Sequence, residues 1–219
     1  MVTLQLRQIR VPAGQRIILE DVSWQVFEAI LNELGEHRGS RVAYSEGTLE
    51  IMAPLPEHER AKVIIGALVK ALLDELDLNW ESLGSTTFKR KDISAGIEPD
   101  DCFYIQNYKL MIGKNKIDLT VDPPPDLAIE IDVTSKTQIS AYQALKVPEI
   151  WRYENKNLEI SLLQGEQYVK SLTSATFPNF PIIELIPRFV EMARTTGMSS
   201  ALKGFRQWVR EQIQDSQGE

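Results

Sequence analysis

The pattern of hydrophobic and polar positions predicts several helices along the chain. The clearest is the segment 57–77, where hydrophobic residues recur at helical spacing and form one stripe (Ala61, Ile64, Ile65, Leu68, Leu72 and Leu76). An earlier helix would begin at Ser23, a good N-cap residue, and run to about Glu36. A short helix is expected at 137–147, and two amphipathic helices within 182–215.

Between these helices, the pattern changes to the alternation that is typical of strands. The segment 127–133 (LAIEIDV) alternates strictly: its aliphatic residues face one way, and Ala128, Glu130 and Asp132 face the other. Further strands are expected in a hairpin at 41–54 and at 102–105, 148–154 and 157–163. This order of elements predicts an α/β fold: a mixed sheet flanked by helices, in a single domain of residues 1–219 with 182–215 as an extension.

Composition narrows the class of protein. With 43% hydrophobic and 25% charged residues, the chain is typical of a soluble globular protein. A formal net charge of −7 argues against non-specific coating of nucleic acid, although a local basic groove is compatible with it. The single cysteine, Cys102, cannot form an internal disulfide and suits a reducing compartment. The N-terminus lacks a signal-like apolar stretch and no run is long enough to span a membrane, so we expect a cytoplasmic protein.

Two carboxylates on one strand face need an explanation. Glu130 and Asp132 would lie roughly 6.5–7 Å apart, since alternate residues of a strand share a face. At that distance two like charges repel by about 2.5 kcal/mol at an effective dielectric near 20. A cationic side chain, a divalent metal ion or exposure to water on an open sheet face could each offset this repulsion.

A third carboxylate is expected beside them. If 102–105 and 127–133 are antiparallel neighbours, the start of the first strand lies opposite the end of the second, which places Asp100 next to Glu130. Asp126 would lie roughly 13 Å away and is interpreted as a turn residue. Three hard oxygen donors without a neighbouring His or Cys favour Mg²⁺ or Mn²⁺ over zinc.

These motifs resemble those of a known family. A Pro-Asp that opens a strand (GIEPDDCFYI), an acidic second strand (PPPDLAIEIDVTSKT) and the segments YQALKVPEIWRY and FRQWVRE are similar to the bacterial family called putative restriction endonucleases, of the PD-(D/E)xK superfamily. The resemblance covers nearly the whole chain. It implies a restriction-endonuclease-like core that hydrolyses DNA phosphodiester bonds with Mg²⁺ (or Mn²⁺) held by Asp100, Glu130 and the Ile131 carbonyl. Glu57 would be the acidic residue of the first helix in that pattern.

The chain departs from the superfamily at one position. Asp132 stands where the motif has a lysine that orients or activates the attacking water. Lys136 could reach back from the strand end, or Gln138, which shares a helix face with Tyr142, could replace it. The departure leaves two other functions open: a catalytically degenerate member that serves as a binding module, and an unrelated carboxylate-pair glycosidase without metal. Apolar residues on more than one face of 182–195 suggest a homodimer.

Overall fold

A computed structural model describes residues 5–35, 39–131 and 136–217 of the chain. A 3₁₀ turn (Leu6–Gln8) precedes the first strand. The helices are α1 (Trp24–Leu34), α2 (Pro56–Glu75), α3 (Tyr108–Met111), α4 (Lys136–Ala144), α5 (Ile182–Thr196) and α6 (Met198–Gln217). The strands are β1 (Arg16–Leu19), β2 (Arg41–Ser45), β3 (Thr48–Met52), β4 (Glu81–Ser82), β5 (Phe88–Arg90), β6 (Ala95–Ile97), β7 (Asp101–Tyr104), β8 (Leu127–Ile131), β9 (Glu149–Glu154), β10 (Asn157–Gln164) and β11 (Gln167–Ser171).

The strands form two sheets. One is antiparallel with the order β1-β3-β2-β6-β5, and the other is mixed with the order β11-β10-β9-β8-β7-β4. Its parallel pair, β8 and β9, is connected through α4, as parallel neighbours require a crossover. The predicted mixed α/β fold is confirmed, but two sheets replace the single one expected. Gly96 lies in β6, where a Cβ would come within 3.0 Å of the Phe27 ring.

Several elements form where their sequence signals predict. The Ser23 hydroxyl accepts a hydrogen bond from the Val26 amide and caps α1. Residues Glu46 and Gly47 make the turn between β2 and β3, and both adopt positive φ. In α2, Gly66 leaves room for the Asp101 carboxylate, which would collide with any Cβ at that position. Helix α2 can therefore pack closely on the strand that begins beside Asp100.

Strand β8 lies at the centre of the molecule and is buried on both faces. Leu127, Ile129 and Ile131 pack with α2, α5 and α6, which form the larger hydrophobic cluster. Ala128 belongs to a second cluster, built from α4 and residues of both sheets. The carboxylate of Glu130 faces this second side. An open face solvated by water, one of the three explanations for its charge, is therefore excluded.

The C-terminal helices pack against the rest of the chain. Helix α5 contacts α2, α6 and β10, and its hydrophobic residues are buried there (Leu185, Ile186, Phe189 and Val190). Arg206 and Arg210 of α6 both form ion pairs with Glu75 at the end of α2. The apolar residues that suggested a homodimer are thus used inside the chain, and a dimer would need another surface.

Candidate active site

Asp100 and Glu130 lie opposite one another where β7 meets β8. The antiparallel register pairs Asp101 with Ile129. Asp100, which precedes Asp101, therefore faces Glu130, which follows Ile129. The Asp100 Oδ2 atom accepts a hydrogen bond from the Ile131 amide at 2.8 Å. Each of the two carboxylate residues is only 3% exposed. The predicted proximity of Asp100 and Glu130 is confirmed.

This arrangement perturbs both carboxyl groups. Burial raises the pKa of Asp100 above its ordinary value, although the hydrogen bond from Ile131 and the charge of Arg41 act in the opposite direction. Burial and then the neighbouring Asp100 charge raise the pKa of Glu130 well above its ordinary value. The Tyr142 hydroxyl, also buried, donates a hydrogen bond to Glu130 Oε1 and fixes that carboxyl group. Two buried acids on opposed strand positions make this site favourable for a cation.

The described cation closest to the pair comes from the other sheet. Arg41 Nε, at the start of β2, lies 3.8 Å from Asp100 Oδ1, and its Nη2 lies 3.5 Å from Glu59 Oε1. Lys62 Nζ is 3.8 Å from Glu59 and donates a 2.8 Å hydrogen bond to Ser85, whose hydroxyl donates to the Asp100 carbonyl oxygen. A positive network therefore approaches Asp100 from one side. Arg41 was not among the site residues predicted from the sequence.

The donor set at the pair suits a hard divalent ion. Asp100 and Glu130 supply oxygen ligands of the kind that Mg²⁺ and Mn²⁺ prefer, and a bound cation would offset the repulsion between these buried carboxylates. Among the described residues, no group of three or more His, Cys, Asp or Glu side chains is placed to hold a metal. Asp132, a predicted site residue, lies outside the described residues. The two carboxylates are suitable ligands for a divalent metal ion, which would need further ligands to complete its coordination.

The remaining predicted residues lie at different places around the pair. The side chain of Glu57, the proposed acid of the first helix, is 67% exposed, and its Oε1 lies 3.1 Å from Arg194 of α5. It does line a cleft of about 380 Å³ together with Ile131. Gln138 is 8% exposed on α4, one turn before Tyr142. Lys136 begins α4, and its side chain is outside the described part of the chain.

Asp126 and Cys102 have structural roles. Asp126 Oδ2 accepts hydrogen bonds from the amides of Ile105 and Gln106 at 2.7 and 2.9 Å, which confirms it as a turn residue. Cys102 is fully buried in β7, and burial raises the pKa of its thiol to about 12. Such a thiol is protonated at neutral pH and is not a nucleophile.

Comparison with known proteins assigns the family. The sequence model of Uma2, described as "Putative restriction endonuclease", matches residues 24–193, which include both carboxylates. The chain belongs to this family. No curated protein sequence matches it. Among solved structures, a putative nuclease belonging to DUF820 from Anabaena variabilis is similar, with 14% identity and a TM-score of 0.47 over 74% of this chain and 90% of the other. None of the helices in the described residues is both long and apolar enough to span a membrane.

Proposed function

We propose that this member of the family is a divalent-metal-dependent DNA endonuclease whose centre is the Asp100–Glu130 pair. The observation that carries the proposal is that two carboxylate residues, each only 3% exposed, lie opposite one another where two adjacent central strands meet. Such an arrangement is unfavourable for folding alone, because each ionised group lacks water and repels the other. A divalent cation held by both residues would offset this cost. Perturbed, clustered acids of this kind are typical of functional sites.

Each residue of the centre has a proposed part. Asp100 and Glu130 would hold Mg²⁺ or Mn²⁺, with the Ile131 carbonyl as a third protein ligand. Tyr142 holds Glu130 in place through its hydroxyl, and the Ile131 amide does the same for Asp100. The bound metal would lower the pKa of a coordinated water and neutralise charge that develops on the phosphate.

The substitute for the missing motif lysine is also a proposal. Asp132 adds a carboxylate at the motif position, which would either complete a metal site or oppose a negatively charged substrate. Lys136 and Gln138 are the proposed residues for orienting the attacking water. Glu57 is the proposed acid of the first helix, at the edge of the site. DNA is the proposed substrate, and a cytoplasmic homodimer is the proposed state of the protein.

One observation favours a second candidate function. With Asp100 and Glu130 each only 3% exposed, a phosphodiester cannot reach them unless neighbouring groups move. A catalytically degenerate member would retain this buried pair and act as a binding module. Metal binding does not separate the two candidates, because both keep the acidic pair. Cleavage of DNA does.

The test is cleavage of supercoiled plasmid and of single-stranded DNA, with Mg²⁺ and with Mn²⁺. We expect weak cleavage with Mg²⁺, more with Mn²⁺, and none by Asp100→Asn. The matched control is Asp92→Asn, because Asp92 is an exposed partner of Arg90 in the turn after β5. Activity that survives Asp100→Asn would reject the centre, and wild-type protein that never cleaves would favour the binding module.

A further inference from the structure

A second polar site lies next to the acidic pair, in a cleft of about 460 Å³. Its walls come from β1, β3, the start of α2, the start of α4 and the end of β9, and include Arg16, Glu50, His58, Gln138 and Glu154. The volume is in the range of small-molecule binding sites. Gln138 precedes Tyr142 by one helical turn of about 5.4 Å, and Tyr142 holds Glu130. The cleft therefore adjoins the proposed centre.

Glu50 is the unusual residue of this cleft. It lies on β3, between β1 and β2, opposite Ile18 on one side and Ala43 on the other, and is 2% exposed. Its Oε1 lies 3.7 Å from Arg16 Nη1. Its Oε2 is shielded from solvent and has no hydrogen-bond partner within the described ranges. Leaving a buried carboxylate oxygen without a donor is costly, so a ligand that brings an N–H group would be stabilised there.

The charges of the cleft select the kind of ligand. Glu50 and Glu154 outnumber the single arginine, Arg16, which disfavours a phosphate group inside the cleft and favours a group that carries N–H donors. Nucleobases with exocyclic amino groups have this chemistry, and a carboxylate is the side chain that accepts from the cytosine N4 amino group. Glu50 is only 2% exposed, so a base reaches its carboxylate only when neighbouring groups of the cleft move, as at the acidic pair.

We infer that this cleft binds an amino-bearing base of a single DNA strand, with Glu50 as its acceptor. The inference rests on the proposed function for its substrate, DNA, and specifies that the strand beside the acidic pair is unpaired. A base inside the cleft cannot also be paired with a complementary strand. Cytosine therefore binds better than uracil, which presents a carbonyl oxygen where cytosine has its amino group.

The test compares binding of a short oligodeoxycytidine with an oligodeoxyuridine of equal length, by fluorescence anisotropy in EDTA. We expect wild type to prefer the cytidine strand roughly tenfold, as a hydrogen bond to a charged group would give. Glu50→Gln removes the charge that strengthens this hydrogen bond and adds an NH₂ group that can donate to the uracil carbonyl, so it should bring the ratio close to one. Glu46→Gln, at the exposed turn of the same hairpin, makes the same chemical change outside the cleft and should leave the ratio unchanged.

A second measurement uses the unmodified site. The chain has two histidines, His37 and His58, and His58 lines the cleft. Deoxycytidine added to the wild type should shift the His58 ring signals in ¹H–¹³C NMR spectra, assigned with a His37→Gln variant. Absence of that shift at saturation, equal binding of the two strands, no binding of either, or a ratio that survives Glu50→Gln would each overturn the inference.

These outcomes are separable from those of the proposed endonuclease. The binding assays contain no metal, and Asp100→Asn should keep the wild-type preference for cytidine while it loses cleavage. Failure of the endonuclease proposal would leave the base preference intact. Conversely, equal binding of both strands by a protein that cleaves DNA would overturn the base-binding cleft alone.

Discussion

Replacing Glu130 by Gln should change how the stability of the metal-free protein depends on pH. Glutamine keeps the size of the side chain and can still accept the Tyr142 hydroxyl hydrogen bond. It removes one of two ionisable groups that are buried against each other. Burial and the Asp100 charge raise the pKa of Glu130 well above its ordinary value in the folded protein. The unfolded chain has no such environment, so there the pKa returns to about 4.3.

The direction of the effect follows from which state binds more protons. Between the unfolded and the folded pKa, the folded protein holds a proton on Glu130 and the unfolded chain does not. The free energy of unfolding therefore falls as pH rises, by about 1.4 kcal/mol per pH unit for each proton held. The contribution of Glu130 to the free energy of unfolding is fully present below the unfolded pKa. It decreases as pH rises and is lost once pH has passed the folded pKa. Glu130→Gln should lose this slope and be more stable than wild type near neutral pH.

The assay is urea unfolding in EDTA at several pH values between about 5 and 8. Glu46→Gln, at an exposed turn, is the control for the same chemical change and should keep the wild-type slope. If Glu130→Gln lost stability with rising pH as steeply as wild type, the buried carboxyl pair would not be the source of the slope. The electrostatic account of the site would then be refuted.

Other predictions test the core, the motif departure and the assembly. Ile129→Ala should reduce the free energy of unfolding by roughly 2–5 kcal/mol, because the side chain is fully buried in a central strand; a loss below about 1 kcal/mol would contradict that packing. Asp132→Lys should leave DNA cleavage unchanged or increase it, and a loss would show that the native carboxylate is needed. Light scattering at micromolar concentration should detect a homodimer, and a monomer would remove that proposal.

The site was predictable where local patterns determine it. Strict alternation in 127–133 and the Pro-Asp before β7 were enough to predict that Asp100 lies opposite Glu130. In an antiparallel pair the start of one strand lies beside the end of the other, so sequence position indicates which residues face each other. Asp126 could be excluded from the acidic site because it lies four residues before Glu130, at the other end of β8. The roles of Asp132 and Lys136 remain predictions.

Long-range contacts were not predictable in the same way. Arg41 reaches Asp100 from a different sheet and from 59 positions away, and no spacing rule connects them. Glu57 shares the helical phase of the buried stripe, but in the first turn of α2 it meets Arg194 of α5 instead of the sheet. The short strands β1, β5 and β6, of four residues or fewer, were too brief to show alternation, so the second sheet was missed.

The central claim is that Asp100 and Glu130 together hold a divalent metal ion. Titration of the native protein with Mn²⁺ by isothermal calorimetry tests it directly, without dependence on the DNA substrate. Wild type and the Asp92→Asn control should bind Mn²⁺, whereas Asp100→Asn and Glu130→Gln should each abolish binding while remaining folded. Binding by both variants with wild-type affinity would show that the metal, if it binds, is held elsewhere in the molecule.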